Sequence, residues 1–208
     1  MLYAITPLAL CEDDTRLLTA VETALHAGLR LLQYRDKSSN DEKRLRQVQA
    51  LHRLCQRYGA KLIVNDDVRL AAHADGVHLG QSDESIRTAR ALLGAEAIIG
   101  ATCHHRLDLA EQAVQAGASY VAFGAMFPSK TKPHATLAPF SVLKQARALG
   151  VPVCAIGGIT PERAASVYAA GADWLACVEG VFSGDGGRDV AGNVRGFNLA
   201  GVQSGVAP

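Results

Sequence analysis

Short apolar runs recur along this chain, each followed by a longer stretch of helical periodicity, and that alternation is the signature of βα units around a parallel sheet. Eight runs read as strands: Leu2 to Ile5, Leu29 to Tyr34, Leu62 to Val64, Gly76 to Leu79, Ala97 to Ala101, Tyr120 to Gly124, Val153 to Ile156 and Trp174 to Val178. Between them lie amphipathic stretches at Thr15 to Ala27, Asp41 to Tyr58, Glu84 to Leu93, Leu107 to Ala116, Pro139 to Leu149 and Pro161 to Ala170, with a cramped third helix. The segments AGLRLLQ, HADGVHLG, AGASYVAFG and AGADWLACV rhyme, each placing Gly or Asp at a helix end before the next strand, where glycine permits a tight turn. Eight such units in 208 residues predict one (β/α)8 TIM barrel spanning residues 1–208, a fold whose usual size is roughly 250 residues. From Gly184 the tail is rich in glycine, and a weak last helix near Asp189 to Leu199 followed by fraying is expected.

Charge and cysteine usage narrow the function classes. Lys and Arg total 21 against 20 for Asp and Glu, so no global field draws the chain to nucleic acid or to an anionic membrane, and any anion must be held by local charges. Nor does any apolar stretch approach membrane-spanning length, and MLYAITPLAL lacks a basic leader and a cleavage site, so a soluble cytoplasmic protein is expected. Five scattered cysteines without a CxxC pair argue for reduced thiols rather than a disulfide framework or structural zinc. A homo-oligomer is compatible with all of this.

In a barrel of this class the active site is built at the carboxyl ends of the strands, so the residues closing each strand carry the functional reading. After the second strand comes QYRDK, in which Gln33, Arg35 and Lys37 fall on one side of an extended chain and Tyr34 and Asp36 on the other. Two cations and an amide would converge on one ligand there, although a solvated charged loop also explains the segment. Asn65 and Asp66 follow the third run, and HLGQSD after the fourth ends in Asp83. Adjacent strands lie roughly 4.8 Å apart, so the two carboxylates can approach one ion. Mg2+ takes one or two carboxylates and completes its shell with water and phosphate oxygens. Helix N-capping is the alternative role for both aspartates.

After the sixth run, FPSKTKP offers the hydroxyls of Ser129 and Thr131 beside Lys130 and Lys132, which reads as an anion clamp. After the seventh, IGGIT brings Gly157 and Gly158 to the start of a helix opened by Thr160 and Pro161, a place where backbone N–H groups can meet a phosphate. Cys103, His104 and His105 adjoin one another, but consecutive residues on an extended strand point apart, so they make a poor metal site. No GxSxG elbow and no nucleophile with a paired base is present, which disfavours covalent catalysis.

Taken together, QYRDK, NDD, HLGQSD, GATCHH, PSKTKP and IGGIT occur in the order and spacing of the thiamine phosphate synthases, and the resemblance runs from Leu2 to about Phe182. It implies a (β/α)8 transferase that joins an aminopyrimidine methyl diphosphate to a thiazole phosphate, giving thiamine phosphate and pyrophosphate. A carboxylated thiazole would also lose CO2. Carried over by position, Gln33, Tyr34, Arg35, Asp36, Lys37, Asn65, Thr102 and Lys132 would hold the pyrimidine diphosphate, and Asp66 and Asp83 would bind Mg2+. The thiazole phosphate would fall to Ser129, Lys130, Thr131, Gly158, Val178 and Glu179. Arg35, Lys37 and Lys132 would stabilise the departing diphosphate, because the family's reaction proceeds through a pyrimidine methyl cation that the thiazole nitrogen attacks.

Two positions depart from the family pattern: Thr102 stands where Ser is common, and Glu179 replaces a Ser at the end of the last strand. A carboxylate aimed at a phosphate would repel it, so Glu179 is expected to turn away and leave backbone N–H groups to make the contact. Two other functions fit the same barrel, a thiazole tautomerase-like isomerase and a non-catalytic binder of phosphorylated ligands. The isomerase branch lacks the intact metal and diphosphate set, which is complete here.

Overall fold

In the computed structural model, which describes residues 1–128, 136–182 and 189–205, eight parallel strands close into a barrel in chain order. They are β1 Leu2–Ile5, β2 Leu31–Tyr34, β3 Lys61–Asn65, β4 Gly76–Leu79, β5 Ile98–His104, β6 Tyr120–Gly124, β7 Val153–Ile156 and β8 Trp174–Cys177. Closure comes from β8 pairing on β1, with Leu2 opposite Leu175 and Ala4 opposite Cys177. The (β/α)8 architecture expected from the alternation is thus present. Strand β5 runs to His104, beyond the expected Ala101, and its register against β6 slips between Thr102 and His104.

The helices are α1 Asp14–His26, α2 Asp41–Arg57, α3 Val68–Ala71, α4 Ile86–Leu93, α5 Leu107–Gln115, α6 Ser141–Ala146, α7 Pro161–Ala169, α8 Glu179–Phe182 and α9 Val190–Gln203. Local chemistry explains where several begin. The side chains of Asp13, Asn40, Asp67, Ser85 and Asp189 accept hydrogen bonds from backbone N–H groups in the first turns of α1, α2, α3, α4 and α9, supplying partners the helices cannot provide themselves. Pro161 opens α7, where a missing N–H costs nothing.

Three helices differ from the sequence reading. The sixth is shorter, ending at Ala146 and tightening into a 3-10 turn over Arg147–Leu149. The short α8 was not anticipated. The last helix runs about one turn past Leu199, because packing outweighs its many glycines: Phe197 is fully buried and the buried Asn193 amide donates to the Val181 carbonyl at 3.1 Å. The residues 183–188 and 206–208 of the expected glycine-rich tail lie outside the described residues.

The alternation of each strand divides the core in two. One set of side chains, among them Ala4, Leu32, Tyr34, Val64, Val77 and Phe123, packs outward against the helices. The other, including Tyr3, Ile5, Leu31, Ile63, Tyr120, Ala122 and Cys154, fills the barrel interior. All five cysteines are buried free thiols, and burial pushes those of Cys55, Cys103 and Cys154 up to about 12, which removes them as nucleophiles. Among the described residues no helix is long and apolar enough to cross a membrane.

Candidate active site

The chain kinks where β3 ends. Asp66 takes up a left-handed backbone conformation, φ 65°, which Asp tolerates better than most residues, and its N–H donates to the His78 carbonyl on β4 at 2.9 Å. Its carboxylate forms an ion pair with the exposed Lys37 ammonium, which reaches over from the segment after β2. The next residue, Asp67, caps α3 and accepts from Leu70 N–H at 2.9 Å. Ser85 caps α4. The capping roles that could have explained Asp66 and Asp83 therefore belong to their neighbours.

Asp83 holds its own turn, accepting from the Gly80 N–H at 2.7 Å. Burial raises the Asp83 carboxyl above its ordinary value, and the adjacent Asp66 carboxylate adds to the rise, against the Gly80 N–H and the Lys37 charge. Two carboxylates close enough to repel, partly neutralised by one lysine, form a site of the kind that suits Mg2+, which needs few protein ligands when phosphate and water supply the rest. Among the described residues no three His, Cys, Asp or Glu side chains gather into a protein-only cage. In the CHH segment Cys103 is buried in the outer core while His104 and His105 are exposed.

The QYRDK segment splits by side. Gln33 points into the barrel, 2 % exposed, and Lys37 reaches the Asp66 rim. The Arg35 main chain is held by Thr6, whose buried hydroxyl accepts its N–H at 2.9 Å. Tyr34 and Asp36 do not join the cluster: the Tyr34 hydroxyl donates to Gln47 Oε1 on α2 at 2.7 Å, and Asp36 accepts from Ser38 N–H at 2.9 Å and from Lys43 Nζ at 2.7 Å. Their side chains lie on the helix side of β2, which leaves only their main chain for a ligand in the barrel mouth.

Asn65 closes β3 beside His78, and its side chain has no hydrogen-bond partner among the described residues. Thr102 lies on β5 with its hydroxyl 2.9 Å from His78 Nε2. Between Gln33 and Thr102 runs a chain of polar contacts that inspection of strand ends alone missed. Gln33 Nε2 donates to the Tyr3 hydroxyl at 2.7 Å, the Tyr3 and Tyr120 hydroxyls are 2.9 Å apart, and the Tyr120 hydroxyl is 2.8 Å from His78 Nδ1. Burial lowers the His78 imidazole to about 4, with the Asp66 charge opposing, so the ring is neutral at physiological pH. The two-residue period within each strand was the signal that could have found these residues, since it places Tyr3, Gln33, His78 and Tyr120 on inward-facing positions.

The opposite side of the rim is built mainly from backbone. Gly158, φ 62°, sits so close to the loop after β6 that a Cβ there would lie 2.8 Å from the Pro128 carbonyl oxygen. Arg163 in the first turn of α7 donates to the Gly158 carbonyl at 2.7 Å and lies over the Phe127 ring at 4.7 Å, tying the two loops together. Val178 follows β8 half-buried, and Glu179, exposed, opens α8. Ser129, Lys130, Thr131 and Lys132 lie outside the described residues.

Comparison with known proteins accords with this arrangement. The family model described as thiamine monophosphate synthase matches residues 2–181. The thiamine-phosphate synthase of Chromobacterium violaceum is 54% identical over 186 residues, covering 88% of this chain and 89% of that protein. The thiamine-phosphate synthase of Thioalkalivibrio sulfidiphilus is 56% identical over 185 residues, covering 88% and 87%. Among solved structures, a thiamine phosphate pyrophosphorylase from Pyrococcus furiosus superposes with a TM-score of 0.85 at 29% identity, covering 98% of this chain and 96% of that one. A barrel with a carboxylate pair and a lysine on one half of its rim, matched along nearly its whole length, belongs to the thiamine monophosphate synthase family.

Proposed function

We propose that this transferase joins an aminopyrimidine methyl diphosphate to a thiazole phosphate with release of pyrophosphate, and that the reaction is Mg2+-dependent. The observation that carries the reading is the meeting of Asp66, Asp83 and Lys37 from three different strand ends on one side of the barrel mouth. Charge so arranged suits a diphosphate that must leave with its electrons, and no protein nucleophile is needed. Asp66 and Asp83 would hold Mg2+, which supplies Lewis-acid stabilisation of the leaving diphosphate. Lys37, Arg35 and Lys132 would contribute cationic charge to the same end.

Gln33, Asn65 and Thr102 place the pyrimidine in the barrel mouth, Gln33 and Thr102 from the ends of the polar chain and Asn65 with a side-chain amide free to bind. Gly158 and the backbone at Val178 and Glu179, with Ser129 to Thr131, would hold the thiazole phosphate, so that its ring nitrogen faces the pyrimidine methylene carbon. Alignment of two bound partners is worth several orders of magnitude in rate by itself. A carboxylated thiazole would lose CO2 in the same reaction. The exposed position of Glu179 at the start of α8 suits a carboxylate turned away from that phosphate.

The test is direct. Purified protein is incubated with both substrates, with and without Mg2+, and thiamine phosphate and pyrophosphate are followed. Metal-dependent coupling is the expected result. Rearrangement of the thiazole alone would replace this reading with an isomerase, and tight binding without product would replace it with a phosphate-ligand binder.

A further inference from the structure

The direction of the polar chain inside the barrel is set by the Gln33 amide, whose Nε2 faces Tyr3. Gln33 is 2 % exposed and gives an N–H to the Tyr3 oxygen. Tyr3, 1 % exposed, then has its own proton left to donate, and among the described residues only the Tyr120 oxygen, 2.9 Å away, stands to receive it. Tyr120, fully buried, must in turn donate to His78 Nδ1 at 2.8 Å. With Nδ1 accepting, the ring carries its proton on Nε2 and donates to Thr102 Oγ1 at 2.9 Å. The Thr102 hydroxyl proton and the Oε1 atom of Gln33 are then left without partners among the described residues.

We propose that Tyr3, Tyr120 and His78 are positioning residues that form a one-way hydrogen-bond relay, locking Gln33 to offer an acceptor and Thr102 to offer a donor, and so select an amino-substituted pyrimidine over its oxo counterpart. An aminopyrimidine carries an N–H donor on its exocyclic amino group and an acceptor on a ring nitrogen, the complement of what the relay presents from opposite walls. A 4-oxo ring brings a carbonyl where the amino group would be, and meets the Gln33 oxygen lone pair to lone pair. A buried polar site built for one pattern rejects the other because the groups left unpaired cannot find water.

The packing shows that space is given over to this chain. Gly100 on β5 lies against the Tyr120 ring so closely that a Cβ would fall 2.0 Å from its Cζ atom. The ring is stacked on His78, centroids 5.5 Å apart at 26°, and edge-on to Tyr3 at 5.9 Å. The three rings that carry the relay, Tyr3, Tyr120 and His78, are thereby held in register with one another.

The selectivity rests on the proposed coupling reaction; the relay itself does not, and two measurements keep them apart. The first is nitrogen NMR of histidine-labelled protein without substrate, the His78 signals being identified by their loss in His78→Gln. Unprotonated Nδ1 with protonated Nε2 is expected; a proton on Nδ1 reverses or breaks the chain and overturns the proposal, even if the protein proves to have no coupling activity.

The second is kcat/KM for the amino and 4-oxo pyrimidine diphosphates in the parent, Tyr3→Phe and Tyr120→Phe. With the relay cut, Gln33 is free to rotate its amide, and the ratio favouring the amino substrate is expected to fall at least about tenfold. Equal losses on both substrates, with the ratio unchanged, would make the tyrosines merely structural and sink the idea.

Discussion

Both ends of the barrel carry charged and polar side chains, and they use them differently. At the end where the strands begin, polar side chains such as Arg90 spend most of their hydrogen bonds on backbone. Arg90 donates to the carbonyls of Gly94, Ala95, Ala97 and Gly117 and to the Ser119 hydroxyl, at 2.7 to 3.0 Å, and Asp75 accepts from the Leu62 N–H at 2.9 Å and pairs with Lys61 at 2.8 Å. At the end where the strands finish, several side chains are turned to one another or to nothing: Asp66 pairs with Lys37, Asp83 lies near Asp66 while accepting from the Gly80 N–H, and Asn65 and one atom of Gln33 are without partners among the described residues. One end satisfies the fold and the other holds unmet capacity for a ligand, which is how a barrel separates stability from function.

The sharpest way to break that contrast is at Asp66 and Asp83. Asp66→Ala or Asp83→Ala is expected to lower coupling by roughly a hundred- to a thousandfold, with the thermal midpoint nearly unchanged. Near-normal turnover in both variants, read by pyrophosphate release, would remove them from the site. Asp36 lies just behind the same rim, yet it belongs with the structural set. Its side chain is 6% exposed and paired with Lys43, so Asp36→Ala is expected to cost about 3 kcal/mol in denaturant unfolding, because a partly buried ammonium loses its partner.

A pH titration of stability sharpens the same point. Burial opposes ionisation of Asp36, but Lys43 and Ser38 outweigh it and hold the carboxyl below its ordinary 3.8. The folded form therefore binds its proton less readily than the unfolded chain. The stabilisation is complete above about pH 4 to 5 and drains away as pH falls through and below 3.8, a loss that Asp36→Asn should flatten.

At the opposite end, Arg90→Ala is expected to cost about 2 kcal/mol of stability, since several partly buried carbonyls lose their donor, while KM for both substrates stays put. A raised KM without destabilisation would erase the distinction between the ends. Smaller still, Gly158→Ala strains a left-handed position against Pro128 by about 1 kcal/mol and should raise KM for the thiazole phosphate several-fold. Glu179→Ser is expected to change that KM less than about threefold, as a carboxylate turned away from the phosphate would; strong tightening would show that the carboxylate faces it.

The strands and most helices were legible because a (β/α)8 barrel repeats one local pattern, and β1, β4, β6 and β7 have the bounds that pattern implies. Asp66 and Asp83 were legible as rim residues because each closes an apolar run. What could not be read was which of Asp66 and Asp67 caps the following helix, since that depends on the left-handed kink at Asp66. Likewise the two-residue period put Tyr34 and Asp36 on the side away from Gln33 and Lys37, but only α2, with Gln47 and Lys43, shows that this side is the helix layer and not a second ligand-facing wall.

The amino-acid sequence by itself determined the repeating units, their number, and the carboxylates and cations at their ends, because these follow from periodicities of a few residues and from chemistry at strand termini. Tertiary structure decided what those groups face. Tyr3 and Tyr120 are 117 residues apart in the chain and 2.9 Å apart in the barrel. No local pattern encodes that contact; it exists only because closing β8 onto β1 folds every inward position toward one axis, where a hydroxyl without water must find another side chain.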